Sequence, residues 1–400
     1  MTITCVVSAS GSSRPGAAAD LPSGDFTAVR QTAPRAHPGI DVLLSDSIRL
    51  VQGKRLGLIT NQSGVDARGV STIDRLSHAP GVRLVALFAP EHGLRGTAAP
   101  GAPVADTVDS ATGLPIYSLY GTSRAPSPAQ LANLDELVVD LQDVGTRTWT
   151  YVSTLVAAMR AAAAAGRRVI VLDRPDPIGC AVQGPLLDPR YASFIGALPV
   201  PLRHGMTLGE LARFANARLA IGADLVVVPV RGWRRCDWFD RTGLPWVRPS
   251  PNLPDLASVA WYPGTVLFEA TNLSVGRGTD APFRQVGAPW LDAPRVAAAM
   301  ARRYGLALDT VRFTPRAPGD GKFDGVPLAG LRFRPADRRR DDPVRDALRL
   351  LTTIRDLQPD AFAMDSIGLA RRLGTALGAA APWAAADRRF LAERRAYLLY

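Results

Sequence analysis

Short apolar runs alternate with longer amphipathic stretches between residues 39 and 245. Five of these runs are rich in Val, Leu and Ile and have the length of buried strands. They cover Arg55–Thr60, Val82–Phe88, Leu137–Leu141, Arg168–Leu172 and Leu225–Pro229. The stretches between them have helical length, and Thr150–Ala165 and Thr207–Ala220 are the clearest. This alternation predicts a mainly parallel sheet with helices on both faces, which is a Rossmann-like α/β domain.

The second helical stretch carries its own start signal. Thr207 is followed three residues later by Glu210, which is the spacing of a capping box. We therefore expect a helix to begin directly after Thr207.

The pattern changes after about Pro245. Pro and Gly become more frequent, strands are hard to recognise, and a helical stretch runs from Ala384 to Leu399. A chain of 400 residues also exceeds the size at which a single core usually stops growing. We therefore predict a Rossmann-like domain over residues 39–245 and a smaller α+β auxiliary domain over residues 246–400. Clefts between domains are favoured places for small-ligand sites.

The N-terminal segment, residues 1–38, has a different composition. A very short apolar stretch, Met1–Val7, is followed by Ser, Gly, Pro and Ala. A complete signal peptide would need a charged start and an apolar core of at least ~7 residues, so we predict a disordered tail or the remnant of a signal. No run approaches the ~18 apolar residues of a membrane span, so none is predicted.

The formal net charge is +11, and because Lys occurs only at Lys54 and Lys322, 45 of the 47 basic residues are Arg. The arginines are scattered and form no basic block interleaved with aromatic residues, so nucleic-acid binding is not predicted. An anionic substrate is compatible with this charge.

The three cysteines, Cys5, Cys180 and Cys236, lie far apart and cannot all pair. The sequence therefore predicts neither a disulfide framework nor a Cys-rich zinc site.

Polar segments follow the first four predicted strands. These segments are Asn61–Gly64, Pro90–Gly93, Gln142–Arg147 and Asp173–Pro177. In open α/β sheets, ligands bind beyond the carboxyl ends of the strands, so we expect these segments to meet at one site. The candidate residues there are Asn61, Glu91, His92, Asp143, Arg147 and Asp173, and His204 is a further candidate contact for an anion or hydroxyl.

Each segment alone also has a simpler interpretation. Asn61–Gly64 fits a turn, and Asp173 fits a cap of the next element. Asp143 and Arg147 fit an ion pair within a loop. The coincidence of all these segments at one edge of the sheet favours a functional site.

Glu91 and His92 form the pair that is hardest to explain structurally. Glu91 follows the apolar end of the second strand, where a carboxyl group can serve as a general acid. The simpler alternative is an ion pair of Glu91 with Arg95 or Arg147. His92 suits ring stacking or hydrogen bonding as readily as the role of a base.

A second polar cluster, Glu269–Thr279, occurs far later in the chain. Its Gly276–Gly278 segment could cradle a phosphate, but a dinucleotide fingerprint has to join the first strand to its helix. We therefore predict a sugar-contacting loop that uses Glu269, Asn272 and Arg277. An enzyme acting on a nucleotide-sugar or a phosphate is kept as an alternative.

Several other chemistries lack their sequence signatures. The chain has no Walker loop, no Gly-x-Ser-x-Gly, no His-Glu-x-x-His and no Cys-x-x-Cys. A metal site would require Asp143, Asp173, His92 or His204 to converge and is the less favoured interpretation. No cofactor and no metal are expected.

Five motifs, in this order, resemble the peptidoglycan exo-β-N-acetylmuramidase family typified by NamZ. They are Asn61–Gly64, Pro90–Gly93, Asp140–Arg147, Asp173–Pro177 and Glu269–Thr279. The resemblance covers about residues 39–400, including the ending Arg395–Tyr400. It implies a cleft between a Rossmann-like and an auxiliary domain, and hydrolytic release of N-acetylmuramic acid from the non-reducing ends of peptidoglycan fragments. It also implies a periplasmic or secreted protein, with the cytoplasm as the alternative because no complete signal peptide is present.

The resemblance also implies roles for individual residues. Glu91 matches the expected catalytic acid, with His92 beside it. The second catalytic role is open between Asp143, Glu269 and the acetamido group of the substrate. The predicted substrate contacts are Asn61, Arg147, Asp173, His204, Glu269, Asn272 and Arg277.

The lactyl carboxylate of muramic acid calls for a planar, bidentate cation, which Arg147 or Arg277 could supply. A catalytically silent module that binds the cell wall is the alternative from a different functional class.

Overall fold

The computed structural model of the protein describes residues 36–99, 101–103, 105–377 and 384–400. Residues 1–35 of the predicted tail lie outside this part. The next two residues belong to the fold, because the backbone N–H of Ala36 donates to Thr242 and that of His37 donates to Arg231. Among the described helices, none is long and apolar enough to cross a membrane.

The described strands, in chain order, are β1 Arg55–Thr60, β2 Arg83–Ala89, β3 Thr107–Val108, β4 Pro115–Ser118, β5 Glu136–Asp140, β6 Arg168–Leu172, β7 Gln183–Leu186, β8 Pro201–Arg203, β9 Leu225–Val228, β10 Gln285–Ala288, β11 Leu308–Phe313 and β12 Leu328–Phe333. The described α-helices are α1 Gly39–Asp46, α2 Thr72–Ser77, α3 Pro128–Ala132, α4 Thr150–Ala164, α5 Leu208–Arg218, α6 Leu256–Thr265, α7 Ala293–Tyr304, α8 Pro343–Leu357, α9 Ser366–Leu373 and α10 Ala384–Arg394.

A seven-stranded sheet with the order β3-β4-β2-β1-β5-β6-β9 forms the centre of the first half. Its neighbouring strands are parallel except for the antiparallel pair β3 and β4. The five strands predicted from apolar runs are consecutive in this sheet, as β2-β1-β5-β6-β9. The predicted Rossmann-like class with a mainly parallel sheet is therefore confirmed.

Both faces of the sheet are covered, because side chains alternate between the faces along each strand. Leu137 and Val139 of β5 pack in the cluster that contains Leu155 of α4. Val138, between them, packs in a second cluster with Ile40 of α1. This burial on both faces explains why the strands appear in the sequence as continuous apolar runs.

The start of α5 has the predicted capping box. The Thr207 hydroxyl accepts the backbone N–H of Glu210, and the Glu210 side chain accepts the N–H of Thr207. This reciprocal bonding satisfies two N–H groups that the first turn of a helix otherwise leaves unpaired.

The later part of the chain contains a three-stranded antiparallel sheet of order β10-β12-β11, accompanied by helices α6 to α9. Strands β10 and β12 are hard to recognise in the sequence because one glycine interrupts the apolar pattern of each, Gly287 in β10 and Gly330 in β12. The reason for the glycines is the Phe313 ring: a Cβ at Gly287 or at Gly330 would lie 2.7 or 2.5 Å from this ring. An α+β architecture after the parallel sheet agrees with the predicted fold class.

Two expectations about the sequence are corrected. The helix expected over Ala384–Leu399 ends at Arg394 and is followed by a 3-10 turn. The last residues leave the helical path, and there the Leu399 N–H donates to Glu210 and the Tyr400 hydroxyl donates to Asp173. The second correction is a disulfide between Cys180 and Cys236, which are 56 residues apart in sequence. Spacing alone could not reveal this pair, because only the folded chain brings the two residues together.

Candidate active site

A pocket is lined by residues from both halves of the chain. Its volume is about 590 Å³, part of which is open to solvent. The loop after β2, the start of α4 and the segment after α6 form its walls. Its lining residues include Glu91, His92, Trp149, Tyr262, Glu269 and Arg277. Four of the ten predicted site residues therefore meet here: Glu91, His92, Glu269 and Arg277.

The Glu91 carboxylate is held by two hydrogen bonds. Its Oε2 accepts from the Thr150 hydroxyl at 2.6 Å, and its Oε1 accepts from the Gly101 N–H at 3.0 Å. Thr150 is the first residue of α4, so the carboxylate lies at the positive end of a helix dipole. These contacts fix the position of the carboxylate in the pocket.

Neither of the two arginines considered as partners pairs with Glu91. Arg95 donates to Asp109 at 2.7 Å, and Arg147 donates to backbone carbonyls elsewhere. Within the described residues, Glu91 has no ion pair. The simpler interpretation of Glu91 as a structural ion-pair member therefore has no support in the structure.

His92 occupies a tight turn and is 3% exposed. Its backbone is left-handed, with φ of 72°, a conformation in which His is enriched among non-glycine residues. Its Nδ1 is 2.9 Å from the carbonyl oxygen of Ala98. Because a carbonyl only accepts, Nδ1 carries the proton in this contact.

Aromatic rings form another wall of the pocket. The Trp149 ring is 6.0 Å from that of Tyr262, and the Tyr262 ring is 4.8 Å from that of Phe283, both nearly edge-on. Tyr120 also lines the pocket. Burial and the nearby Glu91 carboxylate raise the pKa of Tyr120 to about 12, so its hydroxyl is a neutral hydrogen-bonding group at ordinary pH.

Glu269 binds two arginines on another wall. Its Oε1 accepts from Arg277 Nε at 3.1 Å, and its Oε2 accepts from Arg372 Nη2 at 3.3 Å. Burial alone would raise the pKa of Glu269, but the two guanidinium groups outweigh it and hold the pKa below its ordinary value. Asp320 lies 4.0 Å from Arg277, and Lys322 Nζ donates to the Glu269 carbonyl at 3.0 Å. Three cations face two carboxylates, so the wall keeps a positive charge.

The other six predicted site residues do not line this pocket. The Asn61 amide donates to the Tyr151 hydroxyl at 2.6 Å and accepts the N–H of Ser63 at 3.0 Å. The Asn272 amide donates to the Ala361 carbonyl at 2.8 Å. The Asn61 contacts stabilise a turn, and the Asn272 contact joins two loops. The positions of these two residues therefore do not support the expectation that they reach the substrate.

Asp143 and His204 face each other in the protein interior, with 3.5 Å between Asp143 Oδ1 and His204 Nε2. Burial, followed by the nearby Asp176 carboxylate, raises the pKa of Asp143 well above its ordinary value. Burial also lowers the pKa of His204 to about 3. Both groups are therefore favoured in their neutral forms, and neither is placed to contact a ligand in the pocket.

Asp173 is also buried, where it joins distant parts of the chain. It accepts the Thr207 hydroxyl at 2.6 Å, the Gly209 N–H at 2.8 Å and the Tyr400 hydroxyl at 2.7 Å. Burial raises its pKa to about 6. The capping interpretation of Asp173 agrees with these contacts. Within the part of the chain that the structure describes, no three His, Cys, Asp or Glu residues are grouped to hold a metal.

Arg147 is 2% exposed and donates only to backbone carbonyls among the described residues. Because its guanidinium does not line the pocket, the expectation that it binds the lactyl carboxylate is not supported by its position. Of the two arginines considered for that role, Arg277 is the one in the pocket.

The phosphate-cradle interpretation of Gly276–Gly278 requires a helix N-terminus. The next described helix, α7, begins only at Ala293, and Arg277 is paired with Glu269. The point where strand order reverses, between β1 and β5, is the usual ligand crevice of such sheets. Here the Ser63 hydroxyl accepts the Gln142 N–H across it at 3.2 Å. The geometry therefore does not favour a nucleotide.

Reasoning from sequence did not identify Tyr120, Thr150 or Arg372 as site residues. Thr150 follows the Asp140–Arg147 motif by three residues and opens a predicted helix, which was a usable signal. Arg372 lies in a helix more than a hundred residues from its partner Glu269, and no local pattern connects the two.

Two family models match the chain. Residues 56–257 match the family described as "Exo-beta-N-acetylmuramidase NamZ, N-terminal", and residues 260–400 match "Exo-beta-N-acetylmuramidase NamZ, C-terminal". The resemblance drawn from the five motifs is therefore confirmed over most of the chain.

Individual relatives agree with these matches. The chain is 44% identical over 343 residues to the peptidoglycan β-N-acetylmuramidase NamZ of Bacillus subtilis strain 168, covering 84% of this chain and 82% of the relative. Two solved structures of DUF1343 family proteins from Bacteroides fragilis are also similar. One has a TM-score of 0.83 at 33% identity, covering 92% of this chain and 100% of that protein. The other has a TM-score of 0.73 at 30% identity, covering 91% and 99%.

Proposed function

This chain belongs to the exo-β-N-acetylmuramidase NamZ family, and on that premise we propose that it is a glycosidase that releases N-acetylmuramic acid from non-reducing ends of peptidoglycan fragments. The B. subtilis relative is a peptidoglycan β-N-acetylmuramidase. The observation that carries the proposal is the position of Glu91, a carboxyl group without an ion pair among the described residues, in a pocket that also holds two arginines.

Glu91 is the proposed proton donor. It transfers its proton to the glycosidic oxygen as the bond from that oxygen to C1 of the muramic acid breaks, and the leaving sugar departs as an alcohol. Water then supplies a hydroxyl group to C1, and its proton returns to Glu91. The Thr150 hydroxyl and the Gly101 N–H orient the carboxyl group for both transfers.

The second catalytic role has two protein candidates, Asp143 and Glu269, and only Glu269 lines the pocket. Each of its oxygens is engaged by an arginine, Oε1 by Arg277 and Oε2 by Arg372, which makes it a poor nucleophile. We infer that Glu269 acts as the counter-ion of the two arginines. The nucleophile is then the acetamido oxygen of the substrate, as in substrate-assisted glycosidases. It bonds to C1 as the leaving sugar departs, and this bond breaks when water attacks C1.

Arg277 and Arg372 are the proposed binding site for the lactyl carboxylate, which distinguishes muramic acid from glucosamine. Guanidinium groups suit this role because their planar N–H groups match the two carboxylate oxygens. Both arginines line the pocket, where a bound carboxylate would lie beside them.

The direct test is to incubate the protein with the disaccharide MurNAc-GlcNAc and to measure free MurNAc by chromatography. Release of free MurNAc is expected. Binding of the disaccharide without release would indicate a silent cell-wall-binding module. Saturable nucleotide binding with no release would favour the nucleotide-sugar alternative.

We also propose that the protein works in an exported, oxidising compartment. The disulfide between Cys180 and Cys236 supports this, because such bonds persist mainly outside the cytoplasm. The test is alkylation of the protein, taken directly from its native cells, before any reduction. Cys180 and Cys236 are expected to resist alkylation until the protein is reduced, and alkylation of both before reduction would contradict the proposal.

A further inference from the structure

Arg147 is a buried cation that binds only backbone carbonyls among the described residues. Its Nη1 donates to the carbonyls of Pro185 and Val200, each at 2.8 Å. Its Nη2 donates to the carbonyls of Arg372 at 3.0 Å and Leu373 at 2.8 Å. The guanidinium therefore joins β7, the residue before β8 and the C-terminal end of α9.

The end of α9 explains why a cation is needed at this place. The last four carbonyls of a helix have no partner within the helix. The N–H of Gly374 satisfies the carbonyl of Ala370 at 2.7 Å, and Arg147 satisfies those of Arg372 and Leu373. A positive charge there also complements the negative end of the helix dipole.

Burial of this charge is costly, because the guanidinium leaves water without gaining a carboxylate partner among the described residues. The cost is visible in the pKa of Arg147, which burial lowers to about 9. Four carbonyl acceptors compensate for part of the lost hydration. A neutral side chain could not provide this set of donors in one plane.

One residue at the end of α9 faces both Arg147 and the pocket. The Arg372 carbonyl accepts from Arg147, whereas the Arg372 side chain lies in the pocket and donates to Glu269 at 3.3 Å. We propose that Arg147 is a positioning residue for substrate binding: by holding the end of α9, it places Arg372 beside Arg277 to bind the substrate's carboxylate. This inference rests on the proposed function, because it assumes that the pocket binds a carboxylate-bearing sugar.

Gly374 offers a way to disturb this contact without changing either arginine. It is the left-handed C-cap of α9 with φ of 78°, and a Cβ there would lie 2.3 Å from Arg147 Nη2. Gly305 is a matched control. It is the left-handed C-cap of α7 with φ of 67°, and a Cβ there would meet nothing within 4 Å. Both Gly→Ala changes cost similar backbone strain, but only Gly374→Ala displaces the guanidinium.

The experiment compares Gly374→Ala with Gly305→Ala on two substrates: a chromogenic β-muramide and the same compound with its lactyl carboxyl converted to a methyl amide. For Gly374→Ala, we expect KM for the muramide to rise on the order of tenfold, because a charge-assisted contact is misplaced. The kcat value and the KM for the amide are expected to stay within about twofold of those of Gly305→Ala. Arg147→Lys, which keeps the charge but not the planar set of donors, is expected to show the same loss selective for the carboxylate.

Equal KM values for the muramide in the two alanine variants would overturn the proposal. So would an equal rise in KM for both substrates, since this would indicate a purely structural role. If the unmodified protein hydrolyses no muramide, the proposed function fails. Binding of free N-acetylmuramic acid, measured by calorimetry, then tests the positioning role of Arg147. Weaker binding by Gly374→Ala than by Gly305→Ala supports the positioning role, whereas equal binding, or no binding by the unmodified protein, overturns it.

Discussion

Glu91 and Asp143 follow strands of the same parallel sheet, at the same edge, yet their surroundings differ completely. Glu91 lies in the pocket, where a hydroxyl and an N–H hold its two oxygens. Asp143 is 3% exposed in the interior, where its Oδ1 accepts the Gly145 N–H at 2.7 Å. A position just after the carboxyl end of a strand therefore brings a residue near the site. The conformation of the loop that follows the strand decides whether its side chain enters the pocket.

The local chain explains this difference. After β2, the consecutive left-handed residues His92 and Gly93 form a turn that leaves Glu91 opposite the start of α4. After β5, Asp143 bonds to the N–H two residues ahead, a turn that Asp forms readily. Gly145 is left-handed in that turn, and a Cβ there would lie 2.7 Å from Asp176 Oδ1. Asp143 and Asp176 thus belong to one buried polar cluster rather than to the pocket.

The largest effect is expected for Glu91→Gln, which removes the proposed proton and keeps the shape of the side chain. Turnover of a chromogenic β-muramide is expected to fall roughly 100-fold or more, with the melting temperature unchanged. A matched control is Glu393→Gln on α10, whose carboxylate pairs with Arg218 at 2.8 Å on the surface. Near-normal turnover of Glu91→Gln would contradict the role of Glu91 as proton donor, and the pocket carboxyl group would then have no role that the buried Asp143 lacks.

The buried polar cluster that contains Asp176 should make the stability of the protein depend on pH. Burial raises the pKa of Asp176 to about 7, against 3.8 for the free residue. The folded state therefore binds the proton more tightly than the unfolded state. Its contribution to the free energy of unfolding is fully present below about pH 4 and is lost as the pH rises to about 7.

Asp176→Asn mimics the protonated form and should remove this part of the pH dependence, on the order of 2–4 kcal/mol between pH 4 and pH 7. Urea unfolding of the two proteins across this range is the measurement. Parallel stability curves for the unmodified protein and Asp176→Asn would show that Asp176 does not hold its proton in the fold. Asp173, with a pKa raised to about 6, is expected to contribute in an overlapping range.

A smaller effect is expected for Thr150→Val, which removes the hydroxyl that orients Glu91. The kcat/KM value for the muramide is expected to fall roughly tenfold, the equivalent of about one hydrogen bond to a charged group. Thr150→Ser keeps the hydroxyl and is the matched control. If both variants lose the same activity, the bond to Glu91 does not contribute to catalysis.

The sequence was most informative where the physical signal is local. Apolar runs identified the five consecutive strands of the parallel sheet, and the spacing of Thr207 and Glu210 identified the start of α5. The directions of side chains after the strands depend on loop conformation and on distant partners, such as Tyr151 for Asn61. For that reason, Asn61, Asp143 and Arg147 could be placed near one edge of the sheet but not inside or outside the pocket.

The same limit applies to contacts between distant segments. Neither the Cys180–Cys236 pair nor the approach of Arg372 to Glu269 leaves a periodic pattern in the chain. Strand β12 was missed for another reason, because the glycine that accommodates the Phe313 ring weakens its strand signal. The features that could not be predicted from the sequence therefore depend mainly on tertiary contacts.

The smallest effect is expected for Asp143→Asn. Its comparison with Glu91→Gln tests directly whether the pocket carboxyl group and the buried one have different roles. Both variants replace a carboxyl group by an amide after a strand of the same sheet. Burial holds the pKa of Asp143 well above its ordinary value, so the amide resembles the neutral form that the fold already favours. The amide oxygen can still accept the Gly145 N–H.

We therefore expect turnover of the muramide by Asp143→Asn to stay within about twofold of that of the unmodified protein, with a similar melting temperature. If Asp143 instead activated the attacking water, its replacement would remove a catalytic base and turnover would fall on the order of 100-fold. Steady-state kinetics of Asp143→Asn and Glu91→Gln, measured side by side, separate these outcomes. A large loss in both variants would mean that the buried cluster takes part in the reaction, because a substitution that only preserves the neutral form of Asp143 has no other reason to slow the chemistry.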